Sequence, residues 1–245
     1  RYGRTFTRVH DPLVWRESAD ELLAEAGVHV LLHTLVTDVL TDGGERIAGV
    51  MAWTKQGRIE VRAGITVDAS GDADLVTMAG LPFSVGHEGQ VQNPTMIFRL
   101  QGVDVERFIA TYGPDSILGA DVMQAIVEAN ASGRYRLPRA KVFLFETPRP
   151  GELLCNATRI VGRDGRELNP INVADITEAE IEGRRQVREY ARFFRDRLAG
   201  CEQAFVNDTG VQVGVRQTRQ VDGVTTLANE DVVTGVKRAD GIARS

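Results

Sequence analysis

Two arginines near the carboxyl terminus, Arg216 and Arg219, have types and spacing that suit anion binding. They lie three residues apart beside a segment that is predicted to be extended, and Gly214 precedes them. Two guanidinium groups can bind one carboxylate through paired, charge-assisted hydrogen bonds. A structural salt bridge to an acid such as Asp222 or Glu230 explains the same residues. Residue types alone leave both interpretations open.

A second candidate is the turn that follows an apolar strand predicted to end at Ala69. Ala69, Ser70 and Gly71 carry almost no side chain, and a helix is predicted to begin directly after them. Such a junction lets the backbone approach a ligand closely. It also directs the free N–H groups of a helix start toward the ligand, which suits a phosphate. An ordinary strand-to-helix turn, with Ser70 or Asp68 as N-cap, is the simpler alternative.

The elements around this turn are predicted from apolar periodicity and turn residues. A helix is predicted from Asp11–Pro12 to about residue 26, with proline in its first turn and Gly27 at its end. Residues 28–33 form an apolar run that predicts a buried strand. Residues 36–62 predict a three-stranded antiparallel meander, because Asp-Gly-Gly and Gln-Gly turn signals separate three short strands.

The remainder of the chain predicts a sheet with helices beside it. The longest predicted helix covers residues 175–198, where Thr177 and Glu180 have the spacing of a capping box. Further strands are predicted at 94–100, 141–146, 152–159 and 204–207, and helices at 104–112 and 120–131, with a turn or short helix in 226–233.

Four segments in order along the chain resemble one known family. They are the turn and helix at 65–80, Asn156–Arg159, Thr177–Gln186 (TEAEIEGRRQ) and Gly214–Arg219 (GVRQTR). Together they resemble the FAD-dependent oxidoreductases with two dinucleotide-binding domains that are related to the fumarate reductase flavoprotein. Four ordered segments are far more specific than any one of them.

The resemblance implies an α/β (mixed α+β) fold. Residues 1–80 would be part of a Rossmann-like FAD-binding domain with the inserted meander, and residues 81–245 a sheet-and-helix substrate domain, although such domains interleave in sequence. The resemblance also implies FAD as cofactor. The backbone of Val36 would lie against the adenine, and Ala69, Ser70 and Gly71 near the adenosine and pyrophosphate. Arg216 and Arg219 would be the catalytic, substrate-binding arginines.

Two features of the family are missing from these residues. No glycine-rich G-x-G-x-x-G fingerprint follows a first strand, and no second glycine-rich segment follows at the carboxyl end. We therefore expect a fragment of an oxidoreductase that transfers hydride or electrons through a flavin to or from a small, carboxylate-bearing substrate. We expect that the fragment alone is inactive. The alternative is a non-catalytic binding or assembly module that retains the substrate-domain scaffold.

Composition argues against several other classes of protein. A net charge of −5 and a pI of about 5.5 argue against a nucleic-acid surface. No run of about 20 apolar residues predicts a membrane span. Cys155 and Cys201 are far apart, which predicts free, unreactive thiols in a reducing, cytoplasmic compartment. The four histidines have no metal-binding spacing, so we expect no metal.

Strands without their neighbours would expose apolar surface, so we also expect poor stability or self-association.

Overall fold

The computed structural model of the chain describes residue 3, residues 9–239 and residue 241. The predicted mixed α/β class is confirmed, and all strand pairings in this described part are antiparallel. The elements are α1 (Pro12–Glu25), β1 (Leu35–Thr41), β2 (Ile47–Thr54), β3 (Gly57–Arg62), α2 (Asp74–Met78), β4 (Phe83–Val85), β5 (Phe98–Gln101), α3 (Val105–Tyr112), α4 (Ala120–Ala131), β6 (Phe143–Glu146), β7 (Glu152–Asn156), α5 (Val173–Arg197), β8 (Phe205–Thr209), β9 (Arg219–Val221) and α6 (Asn229–Thr234).

The chain divides into two compact units, and each is discontinuous in sequence. The first unit comprises Arg1–His33 and Gly86–Thr218, and the second comprises Thr34–Val85 and Arg219–Ser245. The sequence predicts a single boundary, between residues 80 and 81. The two units have further boundaries, after residue 33 and after residue 218. The assignment of an FAD-binding part and a substrate part stays a prediction.

The first unit is a four-stranded sheet, in the order β6-β7-β5-β8, with its core under one face. Alternate residues of β5 and β7 point into this core, together with aromatic side chains of α5. Burying one such side chain contributes about 1.5–3 kcal/mol, so this face carries most of the stability of the unit. The core residues at the contact are Phe98, Leu100, Leu153, Cys155, Tyr190, Phe193 and Phe194, all at most 1% exposed.

The helix α5 lies close to the segments that flank β5 and β7 because it carries a glycine at the contact. A Cβ atom placed on Gly183 would lie 3.0 Å from Cδ1 of Ile160 and 3.1 Å from Cβ of Met96. A larger residue would therefore crowd these two side chains.

The predicted capping box of α5 is wrong. The helix begins earlier, at Val173, and the side chain of Asn172 is its N-cap, accepting a 2.8 Å hydrogen bond from the Ala174 amide. Thr177 and Glu180 therefore lie inside the helix. Glu180 instead accepts a 2.7 Å hydrogen bond from the amide of Val213, which fixes the chain leading to Arg216.

The second unit contains the predicted meander, which is confirmed as an antiparallel sheet in the order β1-β2-β3. Gly49 is required in β2, because its φ is +150° and a Cβ atom there would lie 2.1 Å from the carbonyl oxygen of Val61 in β3. A separate two-stranded sheet joins β4 to β9.

Two predicted strands do not form. Residues 28–33 and 65–69 are not paired in a sheet within the described part of the chain. Their apolar side chains are instead exposed, with Leu32 at 73%, Ile65 at 85% and Val67 at 79%. An apolar run predicts burial only if a neighbouring strand is present to cover it. No helix of the described residues is both long and apolar enough to cross a bilayer.

Candidate functional site

The turn before α2, in the second unit, is organised by the carboxylate of Asp68. One oxygen of Asp68 accepts hydrogen bonds from the amide of Ser70 at 3.0 Å and from its hydroxyl at 2.6 Å. The other accepts from the amides of Leu75 at 3.0 Å and Val76 at 3.3 Å. Partial burial opposes ionisation, but these hydrogen bonds outweigh it and lower the pKa of Asp68.

This arrangement uses the amides that the sequence suggested for a phosphate. The hydroxyl oxygen of Ser70 accepts from the amides of Asp72 at 3.3 Å and Asp74 at 3.1 Å, while Asp68 accepts from the following two. An ionised carboxylate at the start of a helix also repels another anion. The geometry is therefore that of the simpler, capped turn.

The turn nevertheless has room for a neutral part of a ligand. Ala69, Ser70 and Gly71 are exposed. Gly71 has a φ of +85°, and a Cβ atom placed on it would meet no atom within 4 Å. The small residues thus fit close approach by an adenosine, whereas a pyrophosphate would need other partners.

Val36, the other predicted cofactor residue, lies in the same unit as this turn. It is half-buried in β1, where it pairs with Ala52, and a β-bulge follows between Val36 and Asp38. The strand β1 forms an edge of its sheet, and α2 contacts it. The helix that follows the predicted adenosine turn therefore contacts the strand that carries Val36.

Arg219 is tied to the turn. Its Nη1 donates to the carbonyl oxygen of Asp72 and to Oδ1 of Asp74, both at 2.9 Å, and its guanidinium lies 5.7 Å from the centre of the Phe83 ring. The side chain of Arg219 is 15% exposed. The structural salt bridge considered from the sequence is therefore present, but with Asp74 as partner and not Asp222 or Glu230.

Arg216, by contrast, lines a cleft of about 520 Å³ in the first unit. Two further arginines, Arg139 and Arg159, line the same cleft, against one acid, Glu167. Within the described residues, neither Arg216 nor Arg159 forms a salt bridge. The cleft is therefore cationic and suits an organic anion. Its other lining residues are His87, Gln90, Val91, Gln92, Asn93, Thr95, Thr158 and Gln217.

Two of the four segments that carried the family resemblance line this cleft, and a third holds the backbone of one of them. The backbone of Arg159 is held by the buried amide of Gln186, which accepts from the Arg159 N–H at 3.1 Å and donates to its carbonyl at 3.0 Å. The backbone of Gly214 pairs with Thr95 through hydrogen bonds of 2.6 and 3.2 Å. These contacts position Arg159 and Arg216 from separate elements.

Other polar groups of the cleft are also placed for binding. Arg139 donates to Oδ1 of Asn156 at 3.2 Å, and its guanidinium lies 4.6 Å from the centre of the Phe143 ring, which fixes its direction. The side-chain oxygen of Asn93 is buried and has no hydrogen-bond partner among the described residues, so a ligand hydroxyl or amine could supply one. The sequence prediction missed Arg139 and Asn93, because no motif marks them.

The two cysteines are free, as predicted, and both are buried. Burial raises the pKa of the Cys201 thiol to about 12 and that of Cys155 well above its ordinary value. Thiolate chemistry at neutral pH is therefore disfavoured at both.

Comparison with known proteins identifies the family. The profile of the family described as FAD dependent oxidoreductase matches residues 1–245, so the chain belongs to that family. The family prediction and the FAD assignment are thereby confirmed. A solved structure of a triple mutant of the flavin-dependent brominase Bmp2 is similar, with 15% sequence identity and a TM-score of 0.47, covering 87% of this chain and 46% of that chain. The chain thus spans about half the length of that protein. No curated protein matches the chain.

Proposed function

We propose that this member of the FAD dependent oxidoreductase family is part of an enzyme that oxidises or reduces a small organic substrate bearing a carboxylate. The observation that carries the proposal is the match of the family along the whole chain. The cationic cleft, which two of the resembling segments line, supports an anionic substrate. The free, buried cysteines support a reducing compartment, the cytoplasm.

Each predicted residue has a role in this proposal. Ala69, Ser70 and Gly71 would hold the adenosine half of FAD together with Val36. FAD supplies the hydride- or electron-accepting ring when it is bound. Arg216 would bind and orient the substrate carboxylate.

Three other side chains would complete the substrate site. Arg159 would share the negative charge of the carboxylate, and the oxygen of Asn93 would accept a hydrogen bond from a second polar group of the substrate. Arg219 would act indirectly, by fixing the turn through Asp72 and Asp74.

A non-catalytic binding module is the second candidate. It is favoured by one observation: Asp68 and Ser70 already use the amides that a pyrophosphate would need. Such a module would bind an organic anion in the arginine-lined cleft without taking up flavin.

Titration of FAD into the purified chain tests the proposal. Uptake should quench flavin fluorescence, and Gly71→Val should raise the dissociation constant because it fills the approach to the turn. Gly133→Val is the matched control, since Gly133 has a φ of +71° and equally open surroundings. No quenching, with retention of a carboxylate ligand that Arg216→Gln releases, would favour the binding module.

A further inference from the structure

A second cavity, of about 490 Å³, lies in the first unit on the face of the four-stranded sheet that is opposite the core. Phe145, Leu154, Arg99 and Asp208 are aligned across four neighbouring strands, because each is the register partner of the next. They form the floor of this cavity, which we call the sheet pocket. Its other lining residues are Val9, His10, Pro12, Arg16, Ile97, Phe98, Thr147, Thr209, Gly210 and Val211.

Arg99, the cation of the floor, is paired with two carboxylates, so this cluster has a formal net charge of −1. Arg99 donates through Nε to Asp208 at 2.8 Å, makes a second contact with the same carboxylate, and reaches Glu152 at 3.5 Å. Glu152 is 1% exposed and accepts a further 2.9 Å hydrogen bond from the hydroxyl of Thr147. Arg99 is therefore fully paired, while Phe145 and Leu154 are the apolar part of the floor and Ile97 and Val211 are apolar residues beside it. Such surroundings favour an apolar group.

The rim of the sheet pocket has a different character. Arg16 lines the pocket from α1, is exposed and forms no salt bridge with any described residue. The start of α1 is anchored by Asp11, which accepts hydrogen bonds from Nε of Arg149 at 2.6 Å and from its Nη2 at 3.0 Å. The rim therefore offers a positive charge beside Phe145 and Leu154, the apolar part of the floor.

We propose that the sheet pocket binds a small aromatic carboxylate, with the ring on Phe145, Leu154 and Ile97 and the carboxylate at Arg16. The volume lies within the range of about 300–1,000 Å³ that is usual for small-molecule sites. The ligand is amphiphilic because the pocket joins apolar side chains to a charged rim, and its carboxylate lies at Arg16 because this arginine, unlike Arg99, has no salt bridge with a described residue. This site goes beyond the proposed function and does not depend on FAD.

The test is calorimetric titration with 2-naphthoate, compared with the uncharged 2-naphthol. Arg16→Gln should weaken naphthoate binding about tenfold, equivalent to the loss of one charge-assisted hydrogen bond, and leave naphthol binding unchanged. Leu154→Trp should weaken both, because it fills the floor. Val211→Glu, at a pocket residue that is 95% exposed, places a negative charge there without disturbing the core and should weaken naphthoate alone.

Two controls separate this site from the arginine-lined cleft. Arg188→Gln, at an exposed arginine that lines neither cavity, and Arg216→Gln, in the cleft, should leave naphthoate binding unchanged. Loss of binding in Arg216→Gln would place the ligand in the cleft and overturn the proposal. Absence of naphthoate binding would overturn it as well, and so would Arg16→Gln and Val211→Glu variants that bind naphthoate as tightly as the original chain does.

Discussion

Replacement of Arg219 by glutamine should lower the free energy of unfolding of the second unit. The substitution removes two 2.9 Å hydrogen bonds from Nη1, to the Asp72 carbonyl and the Asp74 carboxylate. A hydrogen bond that involves a charged group contributes about 1.5–3 kcal/mol. The side chain of Asp74 is 47% exposed, so solvent screens the contribution of its ion pair with Arg219. We therefore expect the free energy of unfolding to fall by about 2–3 kcal/mol in total.

Urea unfolding and amide hydrogen exchange measure this effect. The amides of Leu75 and Val76, which donate to Asp68, should exchange faster in Arg219→Gln because the turn loses its second anchor. Arg216→Gln is the matched control, since this arginine is exposed and has no described salt bridge, and it should change stability by less than about 0.5 kcal/mol. Equal, small effects of the two substitutions would refute the assignment of Arg219 to the turn.

Three further predictions concern other parts of the chain. Arg149 holds the pKa of Asp11 at about 2, below its ordinary value of 3.8. A lowered carboxylate pKa stabilises the fold above the unfolded value and loses that contribution as pH falls through the folded value. Asp11→Asn should therefore lower the urea midpoint at pH 7, with the difference from the original chain vanishing toward pH 2. Gly183→Val should destabilise the first unit by about 1–3 kcal/mol in urea unfolding, through overpacking against Ile160 and Met96, and an unchanged midpoint would contradict the close helix approach. The exposed apolar side chains of Ile65 and Val67 should promote self-association, which light scattering would detect; Ile65→Asn with Val67→Asn should reduce it, and a monodisperse original chain would refute this.

Local signals predicted the elements that depend on local chemistry. The start of α1 follows from Asp11 and Pro12, because an N-cap carboxylate and a proline in the first turn act within a few residues. The meander follows from alternation and glycine turns. Residues 28–33 and 65–69 are predicted as strands but do not form them. An apolar run becomes a strand only where another strand supplies hydrogen bonds, and the local sequence does not contain that partner.

The capping box of α5 was predicted wrongly for a related reason. Thr177 and Glu180 have the required spacing, but Asn172 provides a stronger cap one turn earlier. Glu180 is then free to bind the amide of Val213, a contact across 33 residues that no local pattern contains. Sequence spacing therefore located the helix but assigned its side chains to the wrong partners.

The same distinction between local spacing and distant partners applies to Arg216 and Arg219. Side chains three residues apart share a face in an α-helix, whereas in an extended chain they point to opposite sides. Residues 215–218 are not helical, and β9 begins at Arg219. Arg216 accordingly lines the cleft of the first unit, while Arg219 anchors a turn of the second. The Arg219 guanidinium is thus engaged by Asp74, and Arg159, held by Gln186, lines the cleft with Arg216 and Arg139.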